Sequence, residues 1–474
     1  MLEAMQNDRR QETRKVSARR AAFGALVKQV RDYPDLSPLR PELVGLDARD
    51  GALALAMYEA AIRRWGTLAY LFETILARPW RELDESPRAA LLLGGAQLLF
   101  LDRVPVYAAI DETVEIVKSG TMARATGLVN AGLRGLARLA GLDATTGLQR
   151  IPAWDDRRDA VPLSDGSAVR FVREVLPEES LSRLAIATSV PKPLLEGWVT
   201  EFGMEAARNL ALHKLVEPPI VLNTSFEVTA HAMLVQHEEA GCHVLGVSGV
   251  ELAGVLGQLP GAFVQDASST RAVRAIAARA GELFGEAGPG LIVDLCAGQG
   301  TKTRQLARTF PNAKVVATDV DTDRLNVLRG MIAEPTRGMG NVEVWDIASC
   351  DGLAGKADIV LLDVPCSNAG VLARRPEAVY RLMTEQMKRL TALQWEIVQR
   401  GAKLVRAGGI LLYSTCSIER AEDEDIAVRA VQELGLTLLT QDKILPGGLP
   451  GEAGTAYRDG AFHAMLRRSE AGSL

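Results

Sequence analysis

The first 145 residues show apolar positions spaced as in amphipathic helices. Apolar residues that recur three and four positions apart predict six helices, near residues 14–32, 51–64, 67–77, 86–101, 106–118 and 123–140. No strand-like alternation interrupts this pattern. The sequence therefore predicts an all-α bundle over residues 1–145.

The next stretch has a different pattern. Residues 146–165 are rich in Asp, Arg, Pro and Gly, which is typical of a linker. From 166 to 240 the pattern is mixed, because a helical segment at 194–212 precedes the strand-like Ile220–Leu222. We expect a small α+β module over residues 166–240, between the flanking domains.

From residue 241 onward, short apolar runs alternate with helical segments of about a dozen residues. The four clearest runs are Leu291–Val293, Val315–Ala317, Ile359–Leu362 and Ile410–Leu412. Continuous apolar strands between helices indicate a parallel sheet that is covered on both faces. We therefore predict an α/β domain over residues 241–474, with its ligands beyond the carboxyl ends of the strands.

Composition and charge narrow the class of protein. The chain has 474 residues, of which 47% are hydrophobic, so two or three globular domains are expected. The charged N-terminus and the lack of a membrane-length apolar run predict a soluble, cytoplasmic protein, which we expect to be a monomer. A net charge of −5 gives no global support for nucleic-acid binding, so an RNA site would have to be a local basic surface.

The five cysteines are widely spaced and form no C-x-x-C pair. An odd number without paired spacing argues against a disulfide framework and against a zinc site. We expect reduced thiols and no bound metal.

The loop after the first strand contains small residues directly before a helix. It reads Asp294-Leu-Cys296-Ala-Gly298-Gln-Gly300-Thr-Lys302-Thr303. Small residues let a ligand approach the backbone closely, and a helix start offers free N–H groups. The spacing is neither that of a P-loop nor that of the three-glycine dinucleotide motif. Asp319, just past the second strand, suits a ribose diol, although a structural role is about equally consistent with this pair of features.

The third and fourth strands are each followed by a cysteine. Asp363-Val-Pro-Cys366-Ser follows the third strand, and Tyr413-Ser-Thr-Cys416-Ser follows the fourth. A single free cysteine is most often a buried small hydrophobe. Two cysteines in matching positions at one edge of a sheet instead favour a functional pair.

These motifs resemble those of a known enzyme family. D-x-C-A-x-x-G-x-K-T, D-x-P-C-S and Y-S-T-C-S are similar to successive motifs of the RsmB/NOL1/NOP2/Sun family of RNA cytosine-C5 methyltransferases. The bacterial RsmB branch is most similar, because residues 103–112 and 127–134 resemble its NusB-like RNA-binding domain. Further resemblance extends over residues 265–268, 449–451 and 459–462.

The resemblance implies a Rossmann-like class I methyltransferase domain and covalent catalysis on RNA, with small-subunit ribosomal RNA as the expected partner. It also implies that the module at 166–240 binds RNA or connects the flanking domains. By resemblance, Cys416 is the nucleophile that adds to C6 of cytosine, and Asp363 contacts the N3/N4 edge of the base. Cys366 then assists loss of the C5 proton and release of the RNA. Lys302 is expected to stabilise the thiolate.

S-adenosylmethionine is the implied cofactor. Asp319 is expected at the ribose and Asp346 at the adenine, although an acid that caps a turn would also explain Asp346. The full set of residues predicted to bind the cofactor is Asp294, Cys296, Ala297, Gly298, Gln299, Gly300, Thr301, Lys302, Asp319, Arg324, Asp346 and Asp363.

Several positions depart from the family pattern. Gln299-Gly300-Thr301 replaces the usual Pro-Gly-Gly, and Asp423 replaces an Asn. These changes, with the acidic net charge, leave open a catalytically weak or inactive RNA-binding protein. Methylation of a different atom, adenine N6, is a further alternative, but it would need an Asn-Pro-Pro-Tyr strand end, which is absent. A DNA cytosine methyltransferase would carry its nucleophile in the Pro-Cys motif, whereas the resemblance to the RNA enzymes places it at Cys416.

Overall fold

The N-terminal helices form as predicted and pack around one buried helix. The computed structural model describes residues 17–120, 122–143, 147–246, 252–383 and 385–470, so predicted positions 14–16 lie outside the described residues. Every residue from Ala89 to Leu99 in the fourth helix is buried. The helices are α1 (Ala18–Asp32), α2 (Ala48–Arg63), α3 (Trp65–Ile75), α4 (Glu85–Phe100), α5 (Val106–Lys118) and α6 (Thr126–Leu139).

A small antiparallel sheet follows the helices, in the region where the sequence indicates a linker. Within the described residues its strands are β1 (Arg150–Ile151), β2 (Ala160–Pro162) and β3 (Ala168–Arg170), in the order β1-β3-β2. Strands of two and three residues are too short to show a period, which explains why the polar composition of 146–165 indicated only a linker. Three helices come next, α7 (Ser180–Thr188), α8 (Lys192–Phe202) and α9 (Met204–His213).

The chain divides into two compact units. The first contains residues 1–216, 375–384 and 449–451, and the second contains the rest. Segment 375–384 packs inside the first unit, where the ring of Tyr380 lies 6.2 Å from that of Trp65 and Arg381 donates to the carbonyl of Leu36 at 2.9 Å. The boundaries expected from sequence, at residues 145, 165 and 240, stay predictions.

The second unit begins with an antiparallel sheet. Its described strands are β4 (Val221–Asn223), β5 (Leu234–Gln236), β6 (Cys242–Leu245) and β7 (Phe263–Val264), in the order β5-β6-β4-β7, with helix α10 (Leu252–Gln258) before the last strand. This sheet extends past residue 240, where the sequence analysis places the end of the small module.

The predicted parallel sheet is present and is larger than expected. Among the described residues seven strands join in the order β10-β9-β8-β11-β12-β14-β13. The first five are parallel to one another, and β14 pairs antiparallel with both β12 and β13. The strands are β8 (Leu291–Asp294), β9 (Lys314–Ala317), β10 (Val342–Val344), β11 (Ala357–Asp363), β12 (Val405–Thr415), β13 (Thr437–Ile444) and β14 (Ala461–Arg467).

Helices cover both faces of this sheet. Neighbouring strand residues point to opposite faces, so Ile292 and Ile359 belong to one hydrophobic cluster, and Val293 and Val360 to the other. This arrangement explains the continuous apolar runs, because the central strands are covered on both faces. The helices are α11 (Arg271–Ala278), α12 (Ala280–Phe284), α13 (Thr301–Thr309), α14 (Thr322–Ile332), α15 (Gln386–Leu404) and α16 (Glu424–Leu434).

A search of the described helices finds none that combines the length and apolarity needed to cross a bilayer. Within the same described ranges, no group of three His, Cys, Asp or Glu side chains is arranged to hold a metal ion.

Candidate active site

Acidic side chains follow four adjacent strands at the carboxyl edge of the large sheet. Asp346 follows β10, Asp319 follows β9, Asp294 ends β8 and Asp363 ends β11. Because these strands are neighbours in the order β10-β9-β8-β11, the four carboxylates form a row across the edge. The next strand, β12, leads directly into Cys416.

The loop between β8 and α13 is held by its own side chains. Thr303 Oγ1 donates to Asp294 Oδ2 at 2.7 Å, and the backbone N–H of Gly298 donates to Asp319 Oδ2 at 2.8 Å. Gly300 has a φ of +89°, and a Cβ there would lie 2.4 Å from Leu328 Cδ1. The small residues predicted from sequence are therefore required by the geometry of this loop.

Asp294 is buried beside this loop. Burial raises its pKa to about 7, against the effect of the Thr303 hydrogen bond. Its Oδ1 atom is buried and has no hydrogen-bond partner within the described residues. A buried oxygen of this kind is available to a ligand that enters the loop.

Lys302 and Asp363 form an ion pair between the loop and β11. Lys302 Nζ lies 2.8 Å from Asp363 Oδ1, with the lysine side chain 11% exposed and the aspartate 34% exposed. Burial lowers the pKa of Lys302, but the charge and hydrogen bond of Asp363, together with the charges of Cys416 and Asp294, outweigh burial, and the net shift is upward. Lys302 therefore stays protonated within reach of the Cys416 charge.

The two predicted cysteines meet at this edge. Cys366 Sγ lies 3.1 Å from Cys416 Sγ, and Asn368 Oδ1 lies 3.4 Å from Cys416 Sγ. Both cysteines keep partial solvent exposure. The hydrogen bond to Cys416 and the enclosed surroundings raise the pKa of Cys366 well above its usual value.

The turn after Cys366 fits tightly against the turn after Cys416. The N–H of Gly370 donates to the carbonyl of Cys416 at 3.0 Å, and the N–H of Gly460 donates to the carbonyl of Gly370 at 2.6 Å. A Cβ at position 370 would lie 2.7 Å from that Cys416 oxygen. A glycine is needed for this close approach, and the contact fixes one turn against the other.

The remaining predicted cofactor residues lie on or near the same loop. Gln299 and Thr301 have exposed side chains, whereas Ala297 is buried. Burial raises the pKa of Cys296 well above its usual value. Arg324, at the start of α14, pairs with Asp321 at 3.2 Å.

Two acidic residues that the sequence analysis does not identify as site residues are fully buried behind the cysteines. Glu422 accepts hydrogen bonds from both cysteine-bearing turns, and Asp423 Oδ1 accepts from Thr415 Oγ1 at 2.6 Å. They lie in the run Glu419-Arg-Ala-Glu-Asp423, which is typical of an exposed helix start. Nothing in the sequence around Glu422 distinguishes it from an exposed acidic residue, and Asp423 differs from the family pattern only in replacing an Asn.

Arg374, in the segment that follows Cys366, is held by contacts within the protein. Its Nε donates to Asp459 Oδ2 at 2.7 Å and its Nη2 lies 3.3 Å from Asp266 Oδ2. The guanidinium also lies over the ring of Tyr457 at 5.0 Å. These contacts assign Arg374 a structural role.

Asp423→Asn is expected to change how stability depends on pH. Burial raises the pKa of Asp423 to about 8, although Lys443 opposes the shift. The folded state therefore holds a proton that the unfolded state loses above about pH 4, so this residue costs stability increasingly as pH rises from about 4 to 8. Relative to the wild type, the free energy of unfolding of the variant should increase across this range, by a few kcal/mol (order of magnitude) at pH 8. Urea unfolding at pH 5 and pH 8 measures the difference, and a constant difference at both pH values would contradict the prediction.

Comparisons with known proteins match this architecture. Residues 286–443 match the family model for 16S rRNA methyltransferase RsmB/F, and residues 16–138 match that of the NusB family. A Vibrio cholerae protein named Ribosomal RNA small subunit methyltransferase B is 29% identical over 473 residues, covering 96% of this chain and 98% of that protein. A Bacillus subtilis protein named Probable ribosomal RNA small subunit methyltransferase B is 26% identical over 445 residues, with 89% of each chain covered.

The solved structures agree on the fold. The crystal structure of PH0851 covers 96% of this chain and 99% of that chain, with a TM-score of 0.65 and 19% sequence identity. The expected fold class, a helical NusB-like domain followed by a Rossmann-like methyltransferase domain, is confirmed. Residues 286–443 of this chain thus match the RsmB/F methyltransferase family, its N-terminal region matches the NusB family, and nearly the whole chain is similar to proteins named as small-subunit ribosomal RNA methyltransferases.

Proposed function

We propose that this chain is an S-adenosylmethionine-dependent RNA methyltransferase that methylates C5 of cytosine in small-subunit ribosomal RNA. The observation that carries the proposal is the thiol pair of Cys366 and Cys416, 3.1 Å apart beside the Lys302–Asp363 ion pair. The relatives' names, which specify the small ribosomal subunit, support the substrate class. The NusB-family match supports RNA as the partner.

The row of carboxylates fits S-adenosylmethionine. That molecule carries a sulfonium and an ammonium group, and the buried, unpartnered Oδ1 of Asp294 suits a cationic donor. Asp319 would hold the ribose hydroxyls and Asp346 would meet the adenine, in the order in which their strands lie in the sheet. When bound, the cofactor supplies an electrophilic methyl group.

Cys416 would activate the base. C5 of cytosine is a weak nucleophile until a thiolate adds to C6, which forms an S–C6 bond and leaves electron density at C5. Lys302 contributes a buried positive charge that favours the thiolate of Cys416. The target base has to be unpaired or flipped to reach this thiol.

Asp363 and Cys366 would act in the proton transfers at the N3/N4 edge and at C5 of the base. Asp363 is about one-third exposed while paired to Lys302, so its carboxyl group remains accessible to the N3/N4 edge of cytosine. After methylation the C5 proton has to leave before the S–C6 bond breaks and the RNA departs. Cys366 is adjacent to Cys416 and has a raised pKa, which suits it to exchange that proton.

The rival function is a catalytically weak or inactive RNA-binding protein. Two observations favour it: the acidic net charge of −5 and the departure from the family pattern at Gln299 and Thr301. Both of those side chains are exposed, so they change the surface of the loop while Gly298 and Gly300 keep its backbone geometry. A chain without chemistry has no need for two adjacent thiols beside a buried lysine, which favours the enzyme.

The test is to incubate the protein with methyl-labelled S-adenosylmethionine and 16S ribosomal RNA, both naked and assembled in the small subunit. Nucleoside analysis after digestion should show labelled 5-methylcytidine. RNA binding without any 5-methylcytidine on either substrate would favour the rival function. Label in another nucleoside would reject the proposed target atom.

A further inference from the structure

One carboxylate joins the two turns that carry the cysteines. Glu422 is fully buried, and its Oε1 accepts from the N–H of Ser367 and from Gln394 Nε2, each at 2.9 Å. Its Oε2 accepts from Ser417 Oγ at 2.6 Å and from Ser367 Oγ. Each oxygen thus accepts two hydrogen bonds, which saturates a carboxylate.

The donors come from different parts of the chain. Ser367 directly follows Cys366 and Ser417 directly follows Cys416, so Glu422 ties together two turns that are 50 residues apart in sequence. Gln394, on α15, donates to the carbonyl of Pro365 as well, at 3.0 Å. The separation of the two sulfur atoms therefore depends on this buried carboxylate.

We propose that Glu422 is a positioning residue that sets the distance between Cys366 and Cys416 through Ser367 and Ser417. The inference rests on the proposed function for its catalytic consequence. Its geometric part concerns only the two thiols and is testable without any methyl transfer.

The hydroxyl protons of both serines point to Glu422. The N–H of Glu419 donates to Ser417 Oγ at 3.0 Å and the N–H of Ala369 donates to Ser367 Oγ at 3.3 Å, so each hydroxyl accepts on one side and donates on the other. A glutamine at position 422 keeps the volume but presents an NH₂ group to one pair of donors. Charge-assisted hydrogen bonds are also stronger than neutral ones, so the amide holds the turns less firmly.

The charge of Glu422 also bears on Cys366. It contributes, after the Cys416 hydrogen bond and burial, to the raised pKa of the Cys366 thiol. Glu422→Gln removes this contribution, so Cys366 should react with a thiol-specific alkylating reagent at lower pH in the variant. If Glu422 served only to fill the core, its replacement would leave the pH dependence of Cys366 alkylation unchanged.

The geometric test is disulfide formation by diamide on the full chain. The two thiols lose two protons and two electrons, the azo bond of diamide is reduced to the hydrazine, and a Cys366–Cys416 bond forms when the sulfur atoms are adjacent. We expect Glu422→Gln to slow this step by about tenfold, as quantified by peptide mass mapping. The matched control is Glu433→Gln on α16, where the glutamate pairs with Arg429 and is 50% exposed; it should cross-link at the wild-type rate.

The catalytic test is steady-state methylation. Glu422→Gln should lower kcat by about 10²-fold, because displacement of a reacting group by about 1 Å has that effect, with the KM for S-adenosylmethionine unchanged.

The outcomes distinguish the two proposals. If the wild type itself transfers no methyl group, the proposed function fails, while the cross-linking rates still test the positioning role of Glu422. Should Glu422→Gln not fold, Ser417→Ala removes one of the four hydrogen bonds and should still slow cross-linking. A folded Glu422→Gln, or in its place Ser417→Ala, that cross-links at the wild-type rate would overturn the inference.

Discussion

Replacing Cys416 by alanine should abolish methyl transfer, lowering kcat/KM by on the order of 10⁴-fold or more, because residues that act as covalent nucleophiles have no substitute in their sites. The sulfur atom lies at the end of β12, 3.1 Å from Cys366 Sγ and within the field of Lys302. Removing it leaves both turns in place, since Glu422 and Gly370 contact the neighbouring serines and the Cys416 carbonyl. Rapid-quench methylation assays measure the loss.

The control for this prediction is Cys242→Ala. Cys242 is a fully buried free thiol on β6, in the small antiparallel sheet, and lies in a hydrophobic cluster separate from those of the large sheet. This variant should retain activity, and both variants should bind S-adenosylmethionine as the wild type does in calorimetry. Substantial activity in Cys416→Ala would assign the nucleophile elsewhere.

Replacing Lys302 by methionine should lower kcat by about 10²-fold. The substitution keeps the aliphatic chain but removes the buried positive charge beside Asp363 and Cys416. Loss of one preorganised charge from an enclosed site costs roughly 10²- to 10³-fold in other enzymes. Steady-state methylation assays measure the loss.

Lys314→Met provides the matched control. Lys314 pairs with Glu343 at the same 2.8 Å distance, but its side chain is 45% exposed and that of Glu343 is 53% exposed. Exposed pairs contribute little to stability, and this one lies at the amino end of β9, away from the thiols. It should leave kcat unchanged. An equal effect from both substitutions would mean that Lys302 acts only through stability.

The fold was largely predictable because its strongest constraints are local. Helices such as α6 show their period directly, and strands such as β8 show unbroken apolar runs because both faces are buried. The antiparallel strands β13 and β14 were missed. Thr437–Ile444 mixes polar and apolar residues, since a strand at the sheet edge is only partly buried. Its pairing depends on β14, which no local pattern indicates.

The site was predictable where its reactive side chains lie at the carboxyl ends of buried strands. Asp363, Cys366 and Cys416 come directly after buried strands, and the structure brings them together at one edge. Glu422 could not be found in this way. Its neighbours are charged and indicate an exposed turn, and its burial results from long-range packing of α15 and both cysteine turns around it.

The central claim is that Cys416 forms a covalent bond to RNA and that Cys366 resolves it. The direct measurement is the yield of a denaturation-resistant protein–RNA adduct, formed with S-adenosylmethionine and 16S ribosomal RNA and resolved on a denaturing gel. Cys366→Ala should accumulate the adduct, because the S–C6 bond forms and is not released, and Cys366→Ala/Cys416→Ala should form none. An adduct that persists in the double variant, or that accumulates in Cys416→Ala instead of Cys366→Ala, would contradict the assignment.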